Sequence, residues 1–543
     1  MAGSVQNERI IVSGFNQPVV LGFPEINRKS TNILLKSPLC TNANMILGDP
    51  ISLLAESEIS TNGWDTISVS RVSALNVKIE SEKSYPDHIS QKSEDDVVDL
   101  DGFFNPWRVI SGGGGKNVKL SVPMKSGVYN GLSKKNIDLV GVTFYILVTL
   151  SYFPIPAPTV EDDKYDLKVR TVSSGVGDQI VAVTGFDAPE GRLSDLEGGI
   201  LCSLMSLWLN APENLQKFTT LFSTVLINNA GVASDEYKWL RSTAISYAYA
   251  DMGTDESSLF GVLCMTNQRS AVGIPNQLPI VNLVCDDNAA LIISRQIYVK
   301  YHLFPSLSKV FPGSKQSNFI LSDDLLTITG RDIQLDSVIL DGETYNPVAK
   351  TLSITLNSAC ISMTAEIRTD IALGVYTTTT VSAMQRLKLQ KNSKGEQVLV
   401  YENINDPVIS NFTHISKWVD VTAALLGIVT GVLYVVAALT GGLAAVVIIT
   451  VAAFFVLMTV TAAVYPMIQR AKAEGMLEHV PSITPMAHFA ANQVRWPFSE
   501  ANGFSLSDVR YCGEIIFYGK LKLTANYAMI NNKLTYIGDG QGC

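Results

Sequence analysis

Between Val421 and Gln469 the chain runs for 49 residues without one charged side chain, bracketed by Lys417 and Asp420 before and by Arg470 and Lys472 after. The run holds more than twenty Val, Leu, Ile, Phe, Tyr and Met side chains. Burying each one is worth roughly 1.5–3 kcal/mol. Leaving them all in water would therefore cost tens of kcal/mol, against a typical net stability of about 5–15 kcal/mol. Such a segment must be sheltered by protein, by lipid, or by each in turn.

The length fits two membrane-length helices, each of about 20 apolar residues, with Thr440-Gly441-Gly442 as the turn between them. Pro466 falls where it would kink or stop the second helix. Ala423, Gly427 and Gly431 lie four apart, the small-residue spacing that lets helices approach closely. A buried hairpin in a large core satisfies the same pattern. The β-branched cluster Val446, Val447, Ile448, Ile449 and Val451 keeps a strand alternative open. We read an apolar helical hairpin over 421–469. No other segment approaches spanning length, so the expectation is a mostly soluble chain that hides or deploys it.

The remainder is ordinary globular material with a low charge density. Of 543 residues, 47% are hydrophobic and 17% charged, below the usual quarter or so; the length allows two to four domains. A formal net charge of −9 disfavours binding to nucleic acid phosphates and a purely polybasic attachment to membranes. The start, MAGSVQNERI, carries no basic-then-apolar secretion signal. Seven scattered cysteines lack CxxC spacing, and Cys202, Cys264 and Cys285 sit in apolar runs, as reduced structural thiols would.

Along the chain, residues 1–58 mix short apolar bursts with Pro and Asn and read as an extended arm. Ser81 to Asp101 is polar and acidic, a loop or frayed helix. Val118 to Val122 and Leu139 to Phe153 read as strands, the second ended by Pro154 and Pro156. Helical spacing appears from Gly199 to Thr224 and from Asn288 to Leu303, the latter closed by Pro305. Alternation returns from Phe319 to Tyr401. There Leu387 and Leu389 are expected to face Val398 and Val400 across a turn at Asn392-Ser393-Lys394-Gly395. Val509 to Thr524 is again strand-like. Few, long helices among many long strands give an α+β architecture, with long sheets wrapped on a small number of helices.

Catalytic signatures fail one by one. Gly112 to Gly115 followed by Lys116 invites a phosphate-loop reading, but Asn117 replaces the Ser/Thr and Ile110 stands where the opening glycine belongs. A flexible turn between strands explains it better. The five histidines have no HExxH or i,i+4 partner, so no metal centre is expected. Glu94-Asp95-Asp96, Glu161-Asp162-Asp163 and Asp286-Asp287 read as solvated loops without calcium-loop spacing. Trp64, Trp107, Trp239 and Trp496 read as core anchors. Neither an enzyme nor a cofactor is indicated.

Several segments resemble one family. NGWDT (Asn62 to Thr66) and NPWRVISGGGGKNVKLSVPM (Asn105 to Met124) come first. FTTLFSTVLIN (Phe218 to Asn228), YKWLRSTAISYAYADM (Tyr237 to Met252) and LFGVLCMT (Leu259 to Thr266) form the most specific block. QVRWPFSEANGFSLSDVRYCGEIIFYG (Gln493 to Gly519) closes the set. In this order they are similar to the 47-kilodalton protein family of clostridial botulinum neurotoxin gene clusters and its OrfX relatives, over about residues 59 to 530. The chain departs from the family pattern at Ser242, where proline is expected, and in its N-terminal arm. The resemblance implies an elongated tubular lipid-binding fold, with long curved antiparallel sheets wrapped around long helices, over residues 59–543. It also implies a non-enzymatic protein that binds lipids, including phosphoinositides, and works beside companion toxin-cluster proteins.

Three functions are carried forward. The first is a bacterial accessory protein that binds acyl chains or membranes, cytoplasmic or exported without a signal peptide. Leu425, Ile428, Val432, Val447, Phe454 and Phe455 are then its candidate lipid or membrane contacts. The second is a scaffold within a toxin complex that never touches lipid, and the third a pore former that inserts the hairpin. Aspartate at Ile428 and Val432 is expected to abolish liposome binding if the hairpin meets lipid, and to give an insoluble or molten chain if it is core.

Overall fold

The computed structural model describes residues 58–155, 163–172, 179–227, 235–283, 287–311, 314–335, 338–340, 343–391, 395, 397–404, 408–416, 484–524, 526–530 and 533–537. The apolar run, with Leu425, Ile428, Val432, Val447, Phe454 and Phe455, lies outside the described residues, as do residues 1–57.

The middle of the fold is a six-stranded antiparallel sheet in the order Ser242–Ala250, Leu259–Thr266, Thr66–Arg71, Ala289–Ile293, Glu514–Leu523, Ser499–Cys512. In Leu259–Thr266 and Ala289–Ile293 every position is buried, so both faces are covered and the usual alternation disappears. One face packs into the main core with Phe260, Val262, Leu291 and Phe517. The other forms a second core with Trp64, Ile67, Leu263 and Ile516. This double burial corrects the helix expected over Asn288 to Leu303. Its first half is the strand Ala289–Ile293, and the helical part starts at Arg295–Tyr298. Periodicity cannot separate a doubly buried strand from a buried helix. Pro305 does not close that helix either: the helical run continues through Val299–Leu303 into Phe304–Val310, with Leu303 and Phe304 both helical in backbone.

A second sheet runs Val181–Asp187, Thr143–Val148, Val118–Asn130, Asp99–Phe104, His88–Lys92. Its last two strands correct the loop expected from Ser81 to Asp101. They pair as a hairpin, His88 with Phe103 and Lys92 with Asp99, and only their connection carries the exposed Glu94-Asp95-Asp96. Helix Asp195–Asn210 packs on this sheet, with Trp208 and Phe104 ring centres 5.8 Å apart. Ser194 caps it by accepting from the Glu197 amide at 3.3 Å. At 16 residues it is the longest described helix; the helix expected as far as Thr224 ends at Asn210, and Ser223–Ile227 is a strand. That strand belongs to a four-stranded sheet, Val494–Arg495, Ser223–Ile227, Asp163–Val169, Leu150–Ile155. Pro154 sits inside Leu150–Ile155 rather than ending it. The strand is an edge, where proline's lost donor is tolerated.

The fourth sheet is the longest. Its order is Phe319–Leu321, Thr327–Gln334, Val348–Leu356, Ile361–Ala372, Val375–Lys391, Gln397–Asn403, with Val408–Ile415 also on Val375–Lys391. Gln397–Asn403 pairs with one end of that 17-residue strand and Val408–Ile415 with the other, so the two lie end to end along one edge. The expected hairpin is present with a register one residue different. Leu387 faces Tyr401 and Leu389 faces Leu399, because Lys391 pairs with Gln397 and the loop is five residues long, not four. At about 3.3 Å per residue, Val375–Lys391 is roughly 55 Å long. The described residues that bracket the apolar run sit at its two ends. The Ser416 amide donates to the Gly374 carbonyl at 2.8 Å, while Thr484 Oγ1 lies 3.4 Å from Oε1 of Gln397. Mostly β with few helices is the observed architecture. Among the described residues no helix is long and apolar enough to cross a membrane.

Candidate functional site

Strict alternation along Ile361–Ala372 and Val375–Lys391 gives the long sheet two unlike faces. In the middle of the outer face cross-strand neighbours are polar: Thr329, Ser353, Thr364 and Ser382 stand in one row, and Arg331, Thr351, Glu366 and Thr380 in another, while towards its margins Ile320, Met384 and Val408 are exposed. β-branched hydroxyl residues suit a half-wet pleated surface. The inner face is apolar at one end and hydroxylated at the other. From the end nearest the central sheet its cross-strand pairs run Met363 with Ala383, Ala365 with Val381, Ile367 with Thr379, and Thr369 with Thr377. Ile354 and Leu356 extend the apolar end.

All of these inner residues are covered. Thr377 is only 1% exposed, and its Oγ1 is buried with no hydrogen-bond partner. Among the described residues Val381 and Ala383 pack as a cluster apart from the main core. Chemically, the covered face grades from an apolar end to a hydroxylated one.

The far corner of the sheet is different again. Leu373, at the Ala372–Val375 turn, is 85% exposed and Phe412 is 64% exposed. Between them the Tyr376 and His414 rings stack at 4.7 Å and 21°. The Arg368 guanidinium lies 3.8 Å from the Tyr376 ring centre and donates from Nε and an Nη to Asp370 at 2.9 and 2.8 Å.

Elsewhere, buried charge is used for fastening. Asp65, in NGWDT, accepts from the Thr266 amide at 2.7 Å and its hydroxyl at 3.0 Å, and pairs with Arg269. Burial pushes its carboxyl up, opposed by those bonds and by Arg269. Glu514 accepts from the amides of Arg295 at 2.7 Å and Thr61 at 3.1 Å, tying two segments to the central sheet. Glu197 accepts from the Ser133 hydroxyl at 2.6 Å, the Ser133 amide at 2.8 Å and the Tyr129 hydroxyl at 2.7 Å. Asp287 is a correction: it is buried, with Ser507 Oγ donating at 2.7 Å, rather than part of a solvated loop. Trp64, Trp107, Trp239 and Trp496 are all buried, as core anchors. Gly112 to Gly115 forms a turn, but a packed one. The Gly112 amide already donates to the Asp251 carboxylate at 2.6 Å, whose charge would repel a phosphate, and a Cβ on Gly113 would stand 2.6 Å from the Asn117 carbonyl. Among the described residues no group of three His, Cys, Asp or Glu side chains could hold a metal.

The six candidates in the apolar run lie outside the described residues, and the inner face of the long sheet was not singled out from the sequence. Its signal was present: ISMTAEIRTD and VYTTTTVSAM alternate with period two and change from apolar to threonine along one face.

Antiparallel sheets that pack on few helices, one sheet long and two-faced, define a β-rich class of fold. The chain belongs to the OrfX-like family, described as Protein OrfX2/OrfX3/P47, whose model matches residues 61–519. Protein OrfX3 of Paraclostridium bifermentans is 26% identical over 509 residues, covering 86% of this chain and all of that protein. Protein OrfX3 of Clostridium botulinum is 27% identical over 393 residues, covering 66% of this chain and 78% of its own length. In fold the chain is similar to P47 from Clostridium botulinum A2, with a TM-score of 0.57 at 16% identity over 85% of this chain and 98% of that one. P47 of Clostridium botulinum E1 gives 0.56 at 15% identity.

Proposed function

We propose that this chain is a non-enzymatic accessory protein of a bacterial toxin system that binds lipid, taking acyl chains or a phosphoinositide. On this reading residues 59–543 form a tubular lipid-binding domain, preceded by an arm over 1–58 and carrying the apolar segment 421–469. The observation that carries the reading is the graded inner face of the long sheet. Ile354, Met363, Ala365 and Ala383 suit an alkyl chain, and Thr369, Thr377 and Thr379 suit the polar group at its end. Lipid pockets combine such apolar lining with a few polar groups that fix orientation.

The test is extraction and mass spectrometry of what co-purifies with the native chain. One lipid class at near-stoichiometric amount is expected, and Ala365→Phe or Ala383→Phe should each displace it while circular dichroism is unchanged. Native protein free of lipid, with no affinity for vesicles, would reject the reading. A second reading, a scaffold that joins companion toxin-cluster proteins, draws on the long edge formed by Gln397–Asn403 and Val408–Ile415. Among the described residues no strand pairs with its outer side, and such edges accept added strands. Co-purification with a companion protein and no lipid would favour it.

A further inference from the structure

We propose that the corner of the long sheet around Leu373 and Phe412 is a bilayer-contact surface that sets the orientation of this molecule on a lipid membrane. The inference rests on the lipid-binding reading and places one contact within it. The near end of the sheet is fastened to the central sheet, where the Tyr511 hydroxyl donates to the Asn357 carbonyl and Gln397 Nε2 donates to the Leu506 carbonyl at 2.9 Å. From Ile361 to the turn at Leu373 the strand then extends for roughly 40 Å. The corner is therefore the end of the sheet farthest from that attachment.

Its composition is that of a membrane interface. Leu373 and Phe412 are the exposed apolar groups, at 85% and 64%. Tyr376 and His414 stack between them. Rings with an apolar body and a polar tip concentrate at the headgroup level. Arg368 covers the Tyr376 ring and is paired with Asp370, so the corner carries balanced charge. A protein partner is the weaker occupant, because a stable interface buries about 800 Å² on each side and two apolar side chains with two rings fall short of that. A bilayer needs no matching surface. The position of the chain agrees: Ser416 is bonded to Gly374 at this corner, and the uncharged 49-residue run begins five residues later, at Val421.

The experiment uses the full chain and vesicles of phosphatidylcholine. A fluorophore sensitive to polarity, attached at Leu373→Cys, should shift to the blue on adding vesicles, while the same probe at Thr364→Cys, in the middle of the outer face, should not. The double variant Leu373→Ser/Phe412→Ser should partition into vesicles at least about ten-fold less, since two buried side chains are withdrawn, while its co-extracted lipid stays at the wild-type amount. Because the corner is charge-balanced, binding should persist at roughly 0.5 M salt, where exposed charges are screened. Vesicle binding with a silent probe at 373 and an unaffected double variant overturns the corner and leaves the lipid reading standing. Absence of both vesicle binding and co-extracted lipid overturns the two together.

Discussion

Thr377 presents a buried hydroxyl oxygen with no hydrogen-bond partner on a side chain 1% exposed. An unsatisfied buried polar atom costs about 1–3 kcal/mol. Thr377→Val should therefore stabilise lipid-free protein by about 1 kcal/mol, read from its urea midpoint, and lower lipid retention if the hydroxyl meets a headgroup. A lower midpoint would contradict this assignment. Glu197 makes a pH prediction. The Ser133 hydroxyl first, with the Ser133 amide and Tyr129 hydroxyl, holds its carboxyl down to about 2 from 4.5. A depressed carboxylate contributes stability that is present above its unfolded value and lost as pH falls through its folded one. Stability should thus decline between about pH 4.5 and pH 2, and Glu197→Gln should flatten that part of the curve. The raised carboxyls of Asp65 and Glu514 act in the opposite sense, favouring the folded state as they protonate. At this scale the tryptophan anchors were legible, because large rings beside turns have few places to go. Asp287 was not, since its partner Ser507 lies 220 residues away.

Two adjacent glycines test the account of elements. In helix Asp195–Asn210 a Cβ on Gly198 would fall 2.0 Å from the Phe186 ring, whereas one on Gly199 would meet nothing within 4 Å. Gly199→Ala should stabilise the fold by about 0.5–1 kcal/mol, the usual helix preference. Gly198→Ala should destabilise it by about 1–3 kcal/mol through overpacking. Thermal denaturation of the pair checks both signs, and equal effects would reject the packing described for this helix. Strands that alternate, such as Val375–Lys391, were readable in the sequence because one face is wet. Ala289–Ile293 was misread because both faces are dry. The hairpin at residues 392–396 was found but slipped by one, since turn composition points to a loop without fixing its length.

At the scale of the whole molecule, family and general architecture were visible in ordered motifs spread over most of the chain, and the OrfX-like match and P47-like fold agree with them. The two-faced long sheet was less visible, because its order depends on registers between distant strands. That order gives a distance prediction. Spin labels at Ser416→Cys and Thr484→Cys, near opposite ends of Val375–Lys391, should be separated by roughly 40–55 Å, allowing for curvature of the sheet. Pulsed dipolar spectroscopy reads that range, and a separation below about 25 Å would reject the arrangement of the long sheet.

The same anchoring limits how this chain can be trimmed. An extended backbone covers at most about 3.3–3.6 Å per residue. A graft that joins Ser416 directly to Thr484 therefore needs at least about 11 residues to bridge the gap, and a relaxed glycine-serine tether needs several times more. A two- or three-residue splice, harmless where a loop leaves and returns at one spot, would here pull the sheet's outermost strand away from its neighbour.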